Sequence, residues 1–517
     1  MCKIGILLLD RDFEHDVYEL IKAFYPEGEF HTMYEKDEEE YDLFFQVERN
    51  DDSYLISFKS EERTGKASAE VIKGQSRQDE KDALLSCCAP EEESCREADG
   101  SREAAHELRK ANKDNLKFAL YHVLTKLTGK TLPWGNLTGI RPAKLAMGMI
   151  ESGMKNTEIA QEMRQRYLVS PEKTALAIAI ANREREILKE IDYENGYSLY
   201  VGIPFCPSIC LYCSFSSYPL KQWQSRVDQY LDALCREIQA VAGMMKGRKL
   251  DTIYIGGGTP TTLEPEQLRR LLDAIGVSFG FDGLQEFTIE AGRPDSITRD
   301  KLLAIRDFPV TRISVNPQTM NQETLEIIGR RHTVEQTKEA FYLARELDYN
   351  NINMDLIVGL PGEDISMVKN TLEQVRTLDP DSLTVHSLAV KRAARLNMFR
   401  DKYQEMTFEN NQEIMDLTMR TAYEMEMSPY YLYRQKNMKG NFENVGYAKV
   451  DKAGIYNILI MEEKQPIIAL GAGGSSKLVF DHGKRIERVE NVKDVTSYIT
   501  RIDEMIERKR TGIATWL

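Results

Sequence analysis

The sequence predicts an α/β fold centred on a six-unit β/α repeat. Three observations carry this. Between about residues 197 and 388, apolar stretches of strand length alternate six times with amphipathic stretches of helix length. Such alternation gives a parallel sheet with helices outside it, either an open barrel or a doubly wound sheet. A loop with three cysteines directly follows the first strand of the repeat, at the strand end where both architectures place their chemistry. The 517-residue chain is 42% hydrophobic, enough for sizeable cores in roughly two to four domains.

The elements before the repeat follow from local pattern. Ile4 to Leu9 reads as a strand stopped by Asp10, Arg11 and Asp12, too short for a signal peptide. Phe13 to Phe24 reads as a helix. Leu43 to Val47 and Tyr54 to Phe58 read as a hairpin around Asn50 to Ser53, after an acidic run, Glu35 to Asp42, expected as a solvated turn. Residues 1–73 therefore form a small α+β module. Residues 74–104 are polar, with little apolar periodicity, and read as a flexible linker. Cys87, Cys88 and Cys95 there read as incidental thiols, because neither a histidine nor a second Cys-x-x-Cys completes a zinc site. Residues 105–192 read as helical. Leu116, Leu120, Val123, Leu124 and Leu127 make one stripe that Gly129 ends, Leu137 to Pro142 is a glycine-punctuated connection, and Ser170-Pro171 starts a helix running to about Glu190.

The repeat occupies residues 193–395. Its strands are expected at Leu199–Pro204, Thr252–Ile255, Glu286–Glu290, Arg312–Val315, Ile352–Val358 and Ser382–Leu388. Its helices are expected near Val227–Met244, Glu264–Ile275, Ile297–Ile305, through Leu347, and Ile365–Leu378. Residues 396–517 are expected to form a C-terminal domain of helix and mixed segments.

Charge and composition exclude several classes. The net charge of −14 lacks the basic footprint of a general nucleic-acid binder. No apolar run approaches the ~18 residues of a membrane span. Eight unevenly spaced cysteines do not make a secreted disulfide framework, so a cytoplasmic location is expected.

The sharpest motif is Cys206-x3-Cys210-x2-Cys213. Three thiolates on a short loop can ligate three irons of a 4Fe–4S cluster and leave the fourth iron open. A structural zinc site would want a fourth Cys or His, and Ser214 to Leu220 offers none. Gly256-Gly257-Gly258-Thr259 ends the second strand, where glycines allow close backbone approach, and its spacing differs from a dinucleotide G-x-G-x-x-G. Asp355 lies in an apolar strand, where a carboxylate is costly unless paired or ligand-bound. Tyr430 to Tyr433 with Arg434, Lys436 and Lys439, and Lys391, Arg392 and Arg395, offer aromatic faces and cations for a ligand with carboxylate arms. His332 and His386 read as hydrogen-bonded structural residues, and Cys235 as helix packing.

These segments together resemble the radical S-adenosylmethionine (SAM) enzymes. Tyr200-x-Gly202-Ile203-Pro204-Phe205-Cys206 is similar to the oxygen-independent coproporphyrinogen III oxidases. With the N-terminal module and Leu137 to Pro142, the pattern is most similar to the HemZ-type coproporphyrinogen dehydrogenases. The resemblance implies a partial (β/α)6 TIM-like radical SAM barrel with an N-terminal α+β/helical module and a C-terminal, substrate-covering α+β domain. It implies a 4Fe–4S cluster on Cys206, Cys210 and Cys213. It also implies SAM contacts from Tyr200, Tyr212, Gly257, Gly258, Thr259, Glu290, Gln318, Arg330, Asp355 and Ala389. The implied activity is oxidative decarboxylation of coproporphyrinogen III to protoporphyrinogen IX in heme biosynthesis, with a tetrapyrrole substrate and a flavodoxin- or ferredoxin-type electron donor. A heme chaperone of the same family, or a radical SAM enzyme on another substrate, is the alternative. Leu470 to Ser475 resembles a segment of relatives that hold two SAM molecules. The chain departs from the family at Phe215, where well-characterised oxidases carry a further cysteine, and at Gly202, where they carry histidine. The His-Asn-x-x-Tyr-Trp signature of the chaperones is absent from the sequence.

Overall fold

The strand-length apolar runs of the first seventy residues pair into a mixed five-stranded sheet. Its strands are β1 (Lys3–Leu8), β2 (Glu29–Met33), β3 (Leu43–Arg49), β4 (Ser53–Ser60) and β5 (Thr64–Glu70), in the order β2-β1-β3-β4-β5. Strand β1 runs parallel to β2 and β3, and β3, β4 and β5 form an antiparallel meander. The helix Glu14–Phe24 buries Val17, Leu20, Ile21 and Phe24 in a core with Ile4, Ile6, Phe45 and Ile56. Leu116, Leu120 and Leu124, the stripe read from the sequence, pack into the same core. Strands β2 and β5 were not expected. Both are edge strands that turn only Phe30 and Met33, or the small Ala67 and Ala69, inward, so their apolar alternation is too weak to read.

The computed structural model describes residues 2–37, 39–61, 63–71, 95–139, 141–215, 217–389, 394–398, 403, 406–435 and 442–516. Most of the expected linker, with Cys87 and Cys88, therefore lies outside the described residues. Its last ten residues are not linker. A helix runs from Cys95 to Thr128, and Arg96, Glu97, Ala98, Glu103 and Ala104 are strong helix formers despite their polarity.

Contacts divide the chain into two compact units, one drawn from 1–140, 149–178 and 440–442, the other from 141–148, 179–439 and 443–517. In the first unit, Trp134 is fully buried, and the loop after it is tied down by Asn136, whose amide N–H donates to Tyr167 O at 2.9 Å.

The second unit holds an eleven-stranded sheet. Six parallel strands follow the repeat: β6 (Gly196–Ile203), β7 (Lys249–Gly257), β8 (Glu286–Gly292), β9 (Arg312–Val315), β10 (Ile352–Val358) and β11 (Ser382–Ser387). The helices between them include Val227–Met244, Pro265–Phe279, Arg299–Arg306, Val334–Glu346 and Ile365–Leu378. This is the expected β/α repeat.

The C-terminal residues do not form a sheet of their own, so the boundary expected after residue 395 falls inside one sheet. Strands β12 (Ser428–Tyr433) and β13 (Asn444–Ala448) extend it beyond β11, β13 pairing antiparallel with β11. Strands β14 (Ile467–Leu470), β15 (Ser475–Phe480) and β16 (Arg485–Glu490) extend it beyond β6, β14 pairing parallel with β6. An open parallel sheet leaves two unpaired edges, and the C-terminal strands satisfy both.

Two polar arrangements fix this extension. Arg141, from the Leu137 to Pro142 connection, donates to Met461 O at 3.1 Å and pairs with Glu463, holding the C-terminal end of helix Ile455–Glu462. Lys509 and Glu237, both fully buried, form an ion pair at 2.7 Å. Glu237 also accepts from Gly471 N at 2.8 Å, Asn491 Nδ2 at 2.8 Å and the Tyr498 hydroxyl at 2.5 Å, which pins the glycine turn between β14 and β15. Among the described residues no helix is long and apolar enough to cross a membrane.

Candidate functional site

The carboxyl ends of β6 to β11 surround a cavity of about 780 Å³. All thirteen site residues expected from the sequence line it: Cys206, Cys210 and Cys213, Tyr200 and Tyr212, Gly257, Gly258 and Thr259, Glu290, Gln318, Arg330, Asp355 and Ala389.

The cysteine loop leaves β6 at Pro204 and is tied down by backbone bonds. Gly258 N donates to Ile203 O at 2.7 Å, Thr259 N to Phe205 O at 2.8 Å, and Leu211 N to Ile328 O at 2.9 Å. Gly258 is glycine for this reason. A Cβ there would lie 2.5 Å from Phe205 O and 2.8 Å from Ile203 O. The glycine segment thus braces the cysteine loop as well as lining the cavity. Gly258→Val is expected to cost about 1–3 kcal/mol of overpacking and to displace the loop. The check is iron and sulfide content after reconstitution, with wild-type content counting against this account.

Two buried arginines back the loop. Arg293, 3% exposed, donates through Nη1 to Ser208 O at 3.1 Å and Ser208 Oγ at 2.7 Å, and approaches Cys210 Sγ at 3.9 Å, while Nη2 pairs with Asp295 at 2.6 Å. Arg330, 5% exposed, donates to Asn316 O and Pro317 O, and the Tyr212 hydroxyl and Cys210 thiol face it. Its Nε is buried with no hydrogen-bond partner among the described residues. Arg330 is therefore no solvated helix-end arginine. Arg293 was missed in the sequence, where it is one arginine among many.

Burial pushes the Cys206 thiol up to about 11, against a Thr259 hydroxyl that donates to its sulfur at 3.7 Å. Burial likewise raises Cys213. Metal ligation displaces such protons, since a coordinating thiol is deprotonated outright. Among the described residues, only His31, Asp37 and Glu39 bring three Cys, His, Asp or Glu ligand atoms within 4.8 Å of one another. Cys210 and Cys213 lie near enough to Cys206 to oppose its ionisation, so the three thiols share one site.

Deeper in the cavity, Tyr254 and Tyr456 stack at a centroid distance of 4.5 Å, and the Tyr200 ring lies beside the pair, 6.3 and 6.4 Å from the two centroids. The Tyr254 hydroxyl donates to Glu290, and burial pushes the Glu290 carboxyl up to about 7. Gln318 sits at φ +67°, its N donating to Asp355 O at 2.9 Å. Asp355 accepts from Asn353 Nδ2 at 2.7 Å and lies 3.9 Å from His386 Nε2. Arg312, buried in the cavity floor, faces Glu286, whose carboxylate accepts from the amides of Ile455 and Tyr456 and so caps the helix that carries Tyr456 into the cavity.

Not every candidate joins the site. Arg434 is buried facing Glu443 and does not line the cavity, although Tyr431, Tyr433 and Gln435 do. Arg395 is exposed on a short helix away from the cavity lining. Lys391, Arg392, Lys436 and Lys439 lie outside the described residues. His332 is buried, with Nδ1 3.3 Å from Thr333 O, a structural histidine as expected. His386 does line the cavity, which its reading as a structural residue missed.

Residues 200–375 match the family model of the radical SAM superfamily. The chain is 40% identical over 401 residues to the oxygen-independent coproporphyrinogen-III oxidase-like protein HemZ of Bacillus subtilis, covering 77% of this chain and 80% of that protein. The chain belongs to this family of radical SAM proteins. It is 38% identical over 195 residues to the heme chaperone HemW of the same organism, covering 38% of this chain and 51% of that one. Among solved structures it resembles the radical SAM enzyme coproporphyrinogen III oxidase HemN of Escherichia coli, with TM-score 0.50, 26% identity and coverage of 61% and 71%. As a radical SAM protein, the chain takes a 4Fe–4S cluster and SAM. Its residues fit both. Three thiols share one braced loop, no Cys or His stands in Ser214 to Leu220, and the buried cations Arg293 and Arg330 would stand behind an anionic cluster held there.

Proposed function

We propose that the chain oxidatively decarboxylates coproporphyrinogen III to protoporphyrinogen IX. The observation that carries this is one continuous cavity, in which the three thiols share walls with Tyr431, Tyr433 and Tyr456. Its volume lies within the usual ~300–1,000 Å³ of a small-molecule site. Similarity to HemZ and HemN supports the choice of substrate.

In this reading Cys206, Cys210 and Cys213 hold the cluster, and the ten other residues carried over from the family contact SAM. When bound, the two cofactors supply hydrogen-atom abstraction. The protein supplies the rest. Arg293 and Arg330 offset negative charge behind the cluster loop. Glu290 and Asp355 accept from the ammonium and hydroxyl groups of SAM. The tyrosine wall receives the tetrapyrrole face and keeps water away. Each of two propionate arms becomes a vinyl group: one hydrogen atom leaves in 5′-deoxyadenosine, carbon dioxide is released, and one electron passes to a one-electron acceptor. A flavodoxin- or ferredoxin-type protein is the proposed reductant.

The test is anaerobic turnover of reconstituted protein with reductant, SAM and coproporphyrinogen III, read by mass spectrometry. Formation of 5′-deoxyadenosine together with a tetrapyrrole that has lost two carboxyl groups is expected. Deoxyadenosine without decarboxylation would move the assignment to another substrate. Tight heme binding without decarboxylation would favour a delivery role like that of the HemW relative.

A further inference from the structure

Asp355 is oriented from two sides by the strands around it. The hydroxyls of Ser382 and Thr384 both donate to Asn353 Oδ1, at 3.1 and 3.2 Å. That fixes the Asn353 amide, so its Nδ2 donates to Asp355 Oδ1 at 2.7 Å. The other carboxylate oxygen, Oδ2, faces His386 Nε2 at 3.9 Å. The register places both residues on one wall, since Asp355 pairs with Thr384 and Ile357 with His386 across β10 and β11. The Tyr433 hydroxyl lies 3.2 Å from His386 Nδ1. The Asp355 carboxylate can only accept, so the ring proton is assigned to the nitrogen that faces it, Nε2, and Nδ1 is then the acceptor for the Tyr433 hydroxyl.

We propose that His386, oriented by Tyr433, is a positioning residue that holds the Asp355 carboxylate for SAM. The inference rests on the reading above, in which Asp355 receives a donor group of SAM. A carboxylate held on both oxygens meets its ligand with its rotamer already chosen, which removes an ordering cost from binding. Burial pushes the Asp355 carboxyl up, and the facing His386 and Asn353 outweigh it and hold the group below the usual carboxylate range. Tyr433 sits on β12, in the C-terminal extension of the sheet. The C-terminal region therefore completes the cofactor wall in addition to covering substrate.

The experiment measures SAM binding and 5′-deoxyadenosine formation by reconstituted holoprotein carrying His386→Phe, His386→Gln, Tyr433→Phe or Asp355→Asn. His386→Phe is expected to raise Kd and KM for SAM about three- to fivefold, the scale of one lost modest polar contact. At saturating SAM its kcat should stay within about twofold of wild type, as for a lost uniform binding interaction. His386→Gln, whose amide can still donate toward Asp355, should recover most of the affinity, and Tyr433→Phe should fall between. Unchanged SAM affinity in His386→Phe, a fall in kcat without a rise in KM, or a glutamine variant no better than phenylalanine would overturn the proposal. Asp355→Asn separates the two levels of failure. Weakened binding there with a normal His386→Phe rejects the positioning role alone. Normal binding in both rejects the role given to Asp355, and the inference with it.

Discussion

Cys210→Ala is expected to abolish cluster assembly and reductive SAM cleavage together. Each of the three thiols is the sole protein ligand proposed for one iron, so no neighbour substitutes when one is removed. Cys210 is the most enclosed of the three, and it lies between Arg293 and Arg330. Its loss leaves one iron without a protein ligand and removes the sulfur that both guanidinium groups face, so Cys206 and Cys213 alone do not hold the cluster. Reconstituted Cys210→Ala should therefore show background iron, no charge-transfer absorbance and no 5′-deoxyadenosine. Cys235→Ala is the control. Its half-buried thiol lies on the helix Val227–Met244, outside the cavity lining, and wild-type cluster content is expected. A Cys210→Ala protein that still cleaves SAM would remove the cluster from this loop.

The repeat was legible in the sequence because its signals are local. The apolar runs Arg312–Val315 and Ile352–Val358 and the amphipathic helix Val227–Met244 form where the periodicity places them. The cysteine loop was legible for the same reason, its ligands being seven residues apart at most. What the sequence hid depends on partners far along the chain. Ile467 pairs with Ser198 across more than half the protein, and no pattern in Ile467–Leu470 announces a parallel neighbour. The same holds in the site. Tyr254, Arg293 and His386 look ordinary in sequence, and they become site residues only when the sheet sets them beside Glu290, Cys210 and Asp355. Arg434 shows the converse, since a cation in a tyrosine-rich stretch fits a carboxylate receptor and packing alike in sequence, and burial against Glu443 decides for packing.

Lys509→Met is expected to lower the stability of the unit containing the eleven-stranded sheet by about 3–5 kcal/mol. The ammonium group lies 2.7 Å from Glu237 with both side chains fully out of solvent. Removing the cation leaves a buried carboxylate without its charge partner, a far larger penalty than the net worth of the pair. Glu237 keeps its bonds from Gly471, Asn491 and Tyr498, and these moderate the loss without neutralising the charge. The measurement is urea unfolding of the apo protein, read as a lower midpoint with the denaturant slope unchanged. The double variant Glu237→Gln/Lys509→Met should recover much of the loss, because a neutral amide can remain in the site. Lys369→Met removes an exposed lysine and should stay within about 0.5 kcal/mol of wild type. If Lys509→Met proved as mild as Lys369→Met, the pair would not anchor the C-terminal strands.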